Sequence, residues 1–320
     1  MPGWRRVRRG RGFSYVDERG IALTDGDVAR VKELVIPPAW DDVWICPLPQ
    51  GHVQAVGTDD AGRRQYLYHP DWRVQRDLAK YEHMEGFARA LVRRRGRVRR
   101  ELDGSLELTE VAAATFGLLD LGTFRIGSEQ YADDDGGHGL TTLEKQHVVL
   151  NGTGVDFRYL GKSGQQIDVT VRDARIVEVL RRLRARRSGG ERLLAYRSGR
   201  RWHDLTPGDV NDYIRESLGG DFTAKDFRTW RANVVAAWCL SEADASTKTS
   251  RKRAVTHAMR TVSEHLGNTA AVARSSYVDP RLVDLFEDGI TVAGTYRAVR
   301  PGAAVNRALE RSVIRLLRRA

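Results

Sequence analysis

HVVLNGTGVDFRYLGKSGQQIDVTV, residues 147–171, is the stretch that decides the fold class. Within it, HVVLN, VDFRYLGK and QQIDVTV alternate apolar and polar residues, which is typical of strands with one buried face. The intervening NGTG and KSGQ have the composition of turns. The stretch therefore predicts a meander of three strands joined by two turns.

The sequence on both sides of this meander indicates helices. From Arg76 onward helix breakers are few, in the run WRVQRDLAKYEHMEGFARALVRRRGRVRREL. After the meander, apolar residues recur at the spacing of one helical face. They are Ile176, Val179, Leu180 and Leu183. We therefore expect the meander to be an insertion in a mainly helical domain.

The first 82 residues have a different pattern. DVWICPLP and HVQAVGTD are short apolar runs separated by QG, which is typical of strands. DGDVARVKELVIPPAW predicts one helix that ends at Pro37 and Pro38. The prediction is an α+β protein with a small β-rich domain over 1–82 and a larger, mainly α-helical domain over 83–320.

Composition and cysteine content narrow the class of protein. Hydrophobic residues make up 41 % of the chain, and no apolar run approaches the roughly 20 residues that cross a bilayer. The basic N-terminus lacks the apolar segment of a secretory signal. Cys46 and Cys239 lie too far apart in sequence to indicate a disulfide framework or a zinc site. We expect a cytoplasmic protein with no membrane partner.

The charge of the chain indicates a polyanionic partner. Lys and Arg outnumber Asp and Glu by 53 to 42, which gives a net charge of +11. Most of the cations are arginines, which bind phosphate through two parallel hydrogen bonds. Nucleic acid is the first candidate. The alternative is that the positive charge only reflects an arginine-rich proteome and indicates no polyanionic partner.

Two short motifs suggest a nucleotide or a metal and fail on inspection. Gly161–Ser163 reads GKS, but a phosphate loop needs glycine at 156, where the chain has Asp156, and a helix afterwards. DDDGGHG at 133–139 lacks the spaced ligands of a calcium loop. We therefore predict no nucleotide, metal or other cofactor.

A tyrosine remains as the candidate reactive group. Tyr277 lies in NTAAVARSSYVDPRL, residues 268–282. A phenol has a pKa near 10, so it attacks phosphorus only where cations stabilise its anion and the transition state. The leaving oxygen also needs a proton, which a lysine can supply. Such a site would combine a tyrosine, two arginines, a lysine and one further hydrogen-bond donor.

The chain resembles the type IB DNA topoisomerases, in particular the poxvirus-like and bacterial group. Residues 36–73 are similar to the N-terminal DNA-clamp domain of that family. Four more segments resemble its catalytic domain in the family's order: LGTFRIGSEQYADDDGGHGLTTLEKQHV, FRYLGKSGQ, KDFRTWRAN and LGNTAAVARSSYV. The resemblance runs almost from end to end.

The resemblance implies a catalytic fold shared with tyrosine recombinases and a set of catalytic residues. The set is Arg125, Lys162, Arg228, Asn268 and Tyr277. It also implies that supercoiled double-stranded DNA is relaxed through a 3′-phosphotyrosyl intermediate without ATP or metal. The protein would act as a monomer that clamps DNA in the nucleoid.

Asn268 departs from part of the family. Poxviral and eukaryotic members have histidine nine positions before the tyrosine, whereas bacterial members resemble this chain in having asparagine. An amide donates a hydrogen bond but carries no positive charge. The alternative role for Asn268 is a helix or turn cap.

Further residues are implied to contact DNA, namely Gln65, Tyr66, Tyr68, Tyr131, Lys225 and Asn233. Alternation places Tyr66 and Tyr68 on the same strand face, where the alternative role is packing of a small sheet. Nonspecific phosphate contacts are expected from Lys248, Arg251, Lys252 and Arg253.

Two other functions remain open from the sequence. A tyrosine recombinase would use a similar set of residues, although the β-rich N-terminal domain argues against it. A noncatalytic DNA-binding protein is the second alternative, because the basic composition alone would be sufficient for DNA binding.

Overall fold

The computed structural model of the chain describes residues 2–127, 137–152, 154–300, 302–304 and 306–319, with the side chains of 73–78 and 163 excepted. The chain divides into two compact units, Met1–Glu82 and His83–Ala320. The fold is mixed, with a β-rich N-terminal region followed by a mainly helical region, as the sequence predicts. None of the described helices combines the length and the hydrophobicity that crossing a bilayer demands.

The first unit contains an antiparallel sheet with strand order β2-β1-β3-β4-β5 and one helix before β3. Its elements are β1 (Trp4–Arg9), β2 (Gly12–Val16), α1 (Asp25–Glu33), β3 (Asp41–Ile45), β4 (Val53–Thr58) and β5 (Arg64–Tyr68). Val31 of α1 packs with Val43, Ile45 and Ala55 of the sheet. The helix ends earlier than Pro37, because Val35 already has a left-handed backbone (φ 49).

A long helix, α2 (Pro70–Val98), begins in the first unit and continues into the second. The later helices are α3 (Leu108–Asp120), α4 (Ala174–Ala185), α5 (Pro207–Leu218), α6 (Ala224–Ser241), α7 (Lys248–Leu266), α8 (Ala270–Val272), α9 (Arg281–Glu287) and α10 (Arg307–Leu317). A hairpin of β9 (Ala195–Ser198) and β10 (Arg201–Asp204) lies between α4 and α5. The predicted apolar face of α4 is buried.

The predicted meander is confirmed. Its strands are β6 (Val148–Asn151), β7 (Gly154–Leu160) and β8 (Gln166–Val171), paired antiparallel in that order. Val155 and Phe157 of β7 are fully buried, so one face of the sheet packs into the core. A short 3-10 turn, Lys162–Gly164, joins β7 to β8. The GKS motif is therefore a hairpin turn and not a phosphate loop.

The helix α6 is buried along most of its length, and its surroundings fix its position. Phe227 makes edge-to-face contacts with Phe87 and Phe116, at centroid distances of 5.0 Å and 4.8 Å. Three residues later, the Trp230 indole donates a hydrogen bond to the buried Glu310 carboxylate, 3.0 Å away. Glu310 is also paired with Arg95. Helices α2, α3, α6 and α10 therefore hold one another in register.

Candidate active site

Two arginines from distant parts of the chain meet at the C-terminal end of α7. The helix is capped by Gly267 in a left-handed conformation (φ 59, ψ 58). Arg228 donates a hydrogen bond to the carbonyl of Leu266, and Arg125 Nη2 donates to that of Gly267 at 3.1 Å. The C-terminal end of a helix dipole favours cations. Successive carbonyl groups thus place both guanidinium groups side by side.

Arg228 is buried yet keeps hydrogen-bonding capacity. Its residue is 4 % exposed, and Nη1 donates to the Thr123 carbonyl at 3.1 Å. Its Nε has no hydrogen-bond partner among the described residues. Burial, followed by the charge of Arg125, lowers the pKa of Arg228 to about 10, so the group stays protonated at neutral pH. An anion that entered here would meet a fixed cation with a free donor.

Arg125 is held by the backbone around it. It lies after α3 in a segment without regular secondary structure, where its carbonyl accepts a hydrogen bond from the Leu140 amide at 2.9 Å. The next carbonyl, that of Ile126, accepts from the Thr141 amide at 2.9 Å. The segment that carries Arg125 is therefore held by hydrogen bonds from Leu140 and Thr141.

Tyr277 ends a π-helical turn, Ala273–Tyr277, that continues α8. The Val278 amide donates to the Ala273 carbonyl at 3.0 Å, which is the i→i+5 pattern of this turn. Such turns occur often at functional sites. The Arg228 guanidinium carbon lies 5.9 Å from the centre of the Tyr277 ring. Burial raises the pKa of Tyr277, but the charges of Arg228 and Arg125 outweigh it and the pKa falls below that of a free phenol.

Asn268 lies in the same chain segment, and both polar atoms of its side chain are orphaned. Nδ2 and Oδ1 are buried, and neither has a partner among the described residues. The caps on either side belong to its neighbours, since Gly267 ends α7 and Thr269 Oγ1 accepts from the Val272 amide at 3.2 Å. The Asn268 side chain therefore caps neither helix among the described residues, although its backbone amide donates to the Ser263 carbonyl at 3.1 Å and helps to close the end of α7.

Lys162 and Arg125 line one cavity of ≈ 240 Å³, together with Tyr159, His138 and Gly267. Lys162 is exposed on the turn between β7 and β8. Gln165, from the same hairpin, lies against Gly267. The hairpin that carries Lys162 thus reaches the helix end that holds both arginines.

Comparisons with known proteins show the family to which the chain belongs. The family model described as the eukaryotic DNA topoisomerase I catalytic core matches residues 69–289. The chain belongs to the type IB DNA topoisomerase family. A second model, the N-terminal domain of bacterial DNA topoisomerase IB, matches residues 12–59. The chain is also 29 % identical to DNA topoisomerase 1B of Acanthamoeba polyphaga mimivirus, over 90 % of this chain and 88 % of that protein.

Asn233 is placed differently from the DNA contact that the family resemblance implied. The residue is 1 % exposed. Its Nδ2 donates to the carbonyls of Thr229 (2.8 Å) and Tyr277 (3.2 Å), and its Oδ1 accepts from the Asp279 amide at 2.8 Å. Both ends of the amide are used inside the protein, so the side chain fixes the backbone of Tyr277.

Two other expected DNA contacts in this unit have different outcomes. Lys225 is exposed one turn before Arg228 on α6, and its charge also lowers the pKa of Tyr277 after the larger effects given above. Tyr131 lies outside the described residues. Lys225 is therefore an exposed cation close enough to Tyr277 for its charge to act on the phenol.

In the first unit, Tyr66 and Tyr68 lie on the edge strand β5 and share a face, as the alternation predicts. Their rings stack with centroids 6.1 Å apart, and Tyr68 stacks on Trp72 at 4.4 Å. Tyr66 is 47 % exposed, so this aromatic face is not covered within its unit. Gln65 donates from Nε2 to Asp59 at 2.8 Å, which fixes its amide.

Sequence reasoning missed Tyr159, a second tyrosine beside the arginines. Burial raises the pKa of Tyr159, although the charges of Arg228 and Arg125 act in the opposite direction. On the sequence Tyr159 has only the pattern of an inward-facing strand residue, and that pattern carries no signal of the nearby cations. Its high pKa makes it the poorer nucleophile of the two tyrosines.

Proposed function

We propose that this type IB topoisomerase relaxes supercoiled DNA by cutting one strand through Tyr277 and resealing it, without ATP or metal. The observation that supports it most is the position of Tyr277 beside Arg228 and Arg125, whose charges lower its pKa against the effect of burial. An acidic phenol next to fixed guanidinium groups is suited to attack on a phosphodiester.

The reaction exchanges one phosphodiester for another. The Tyr277 oxygen loses its proton to solvent and forms a bond to phosphorus, and the bond from phosphorus to the 5′-oxygen breaks. The strand is left joined to Tyr277 through its 3′ end, with a free 5′-hydroxyl. Reversal reseals the strand. Because the phosphotyrosyl diester conserves the energy of the broken bond, resealing needs no nucleotide.

The arginines and Asn268 stabilise the transition state in this proposal. Arg228 offers its unpartnered Nε, and Arg125 lies beside it on the next carbonyl of the helix end. Asn268 has a side-chain amide group that no described residue hydrogen-bonds. Donors that are fixed before charge develops lower the barrier without reorganising. The phosphate would supply the partners that these groups lack.

Lys162 acts as the general acid in this proposal. It lies on the exposed turn of the hairpin and lines the same cavity as Arg125. An ammonium group there can protonate the departing 5′-oxygen and recover the proton on resealing. The catalytic fold shared with tyrosine recombinases would serve this chemistry, and a single protein molecule would suffice.

The remaining DNA contacts are proposed on two surfaces. In the first unit, the exposed aromatic face of Tyr66 and Tyr68 with the neighbouring Gln65 would meet the duplex. In the second, Lys225 would bind phosphate, as would the start of α7 through Lys248, Arg251, Lys252 and Arg253. Contacts of this kind position DNA without selecting a sequence.

The test replaces Tyr277 with Phe and compares it with Tyr159→Phe, the matched control beside the same arginines. Plasmid relaxation and covalent adduct formation are measured with excess chelator and no ATP. We expect Tyr277→Phe to lose both while it still binds DNA, and Tyr159→Phe to form the adduct.

Three results would contradict the proposal. They are normal relaxation by Tyr277→Phe, an adduct attached through the 5′ end of the strand, and a requirement for ATP or a divalent cation. Recombinant plasmids as the main product would indicate a recombinase instead. DNA binding with neither relaxation nor adduct in the parent protein would indicate a noncatalytic binder.

A further inference from the structure

The turn that carries Lys162 is in backbone contact with Gly137. A Cβ atom built on Gly137 would lie 2.9 Å from the Gly161 carbonyl oxygen and 3.1 Å from Lys162 Cα. Both atoms belong to the main chain, so a side chain at 137 would force the turn and the segment that carries residue 137 apart. The next amide, that of His138, donates to the Leu160 carbonyl at 2.7 Å. Residues 137 and 138 therefore lie directly against the end of β7 and the Lys162 turn.

The same segment contacts the Arg125 loop two residues later. A Cβ atom on Gly139 would lie 2.4 Å from Gly127 Cα and 3.0 Å from the Arg125 carbonyl oxygen. Gly139 has an extended backbone (φ −136), which any residue can adopt, so space and not conformation requires glycine here. The Leu140 amide then donates to the Arg125 carbonyl.

From these contacts we propose that residues 137–140 position Lys162 and Arg125 relative to each other, Gly137 acting on Lys162 and Gly139 on Arg125. The inference rests on the proposed function, because the two glycines matter only if Lys162 is the general acid and Arg125 stabilises the transition state. Neither glycine touches DNA in this account. Each acts through the backbone that carries its catalytic neighbour.

The two contacts should affect chemically different parts of the reaction. Lys162 matters only while the leaving 5′-oxygen needs a proton. A DNA substrate with sulfur in place of that oxygen releases a thiolate, which leaves without protonation because a thiol is far more acidic than an alcohol. Arg125 stabilises the phosphate itself, so the sulfur substrate does not bypass it.

The experiment measures single-turnover cleavage of matched oxygen and 5′-sulfur oligonucleotide duplexes by Gly137→Ala and Gly139→Ala. We expect Gly137→Ala to cleave the oxygen substrate about tenfold more slowly, or worse, and the sulfur substrate at nearly the parent rate. Gly139→Ala should be slow on both. Thermal unfolding and DNA affinity are measured alongside, because a general loss of structure would slow both variants on both substrates.

The variant Lys162→Ala distinguishes a failure of this inference from a failure of the proposed function on which it rests. If the sulfur substrate does not rescue Lys162→Ala, the acid assignment is wrong and the inference fails with it. If Lys162→Ala is rescued but Gly137→Ala is not, only the inference is overturned. It is also overturned if Gly137→Ala cleaves the oxygen substrate at the parent rate, or if sulfur rescues Gly139→Ala.

Discussion

At the scale of one residue, Asn268 is a feature of the site that lowers the stability of the fold. Its buried amide has no partner among the described residues, and leaving such a group unsatisfied costs about 1–3 kcal/mol of folding free energy. Asn233 on α6 contacts the same tyrosine segment, and both ends of its amide have hydrogen-bond partners there. Replacement by alanine should therefore affect folding stability differently at the two asparagines.

We predict that Asn268→Ala slows cleavage about tenfold to a hundredfold, the value of one hydrogen bond to a charged group, without lowering the melting temperature. The side chain makes no hydrogen bond within the described part of the chain, so we expect the stability of the variant to stay level or rise. Single-turnover cleavage and calorimetry measure the two effects.

The matched control for that prediction is Asn233→Ala, which removes satisfied hydrogen bonds and should lower the melting temperature. If Asn268→Ala instead lost stability and kept its cleavage rate, the residue would be structural.

At the scale of an element, the C-terminal end of α7 decides where the two arginines lie. Gly267 caps the helix in a left-handed conformation, and its position also lets Gln165 approach. Gly219 caps α5 in a similar conformation (φ 73), but a Cβ there would meet none of the described atoms within 4 Å. The end of α7 holds the two arginines of the candidate site, whereas the end of α5 has no such role.

We predict that Gly267→Ala and Gly219→Ala each cost roughly 1–2 kcal/mol of folding free energy, the strain of a left-handed alanine. Gly267→Ala should cost more because of Gln165, and it alone should slow cleavage by folded protein, since the carbonyls that hold Arg228 and Arg125 would shift. Denaturant unfolding and single-turnover cleavage at saturating enzyme test this. Equal cleavage rates for the two variants would contradict the role of the helix end.

At the scale of the whole molecule, the net charge of +11 sets how DNA is bound. Arginine and lysine contacts to phosphate release counterions, so affinity falls linearly with salt on logarithmic axes. In the proposed function the phosphate contacts are spread over several side chains, so we expect each to contribute little alone. The salt slope reports their sum better than any one variant does.

We predict that DNA affinity falls by at least about tenfold between 50 and 200 mM salt. Lys225→Ala should reduce the magnitude of the slope by about one. Lys145→Ala is the control, because the Lys145 ammonium donates to the Gly190 carbonyl within the protein. Fluorescence anisotropy over a salt series measures all three. A flat response in the parent protein would contradict the proposed mode of binding.

The sequence by itself determined the main elements and nominated the candidate reactive groups. The alternation over 147–171 gave the meander because a strand with one buried face must repeat every second residue. The apolar face of α4 followed from the helical period in the same way. Resemblance to a family then singled out Arg125, Lys162, Arg228, Asn268 and Tyr277, which lie far apart along the chain.

Only the tertiary structure decided how those groups are held. Hydrogen bonds from Arg228 and Arg125 to successive carbonyls of α7, and from Asn233 to the Tyr277 carbonyl, join residues that no local pattern relates. The need for glycine at 137 and 139 likewise comes from backbone that is distant in sequence. Local propensity depends on neighbours in the chain, whereas burial, orphaned donors and shifted pKa values depend on neighbours in space, and folding alone brings those together.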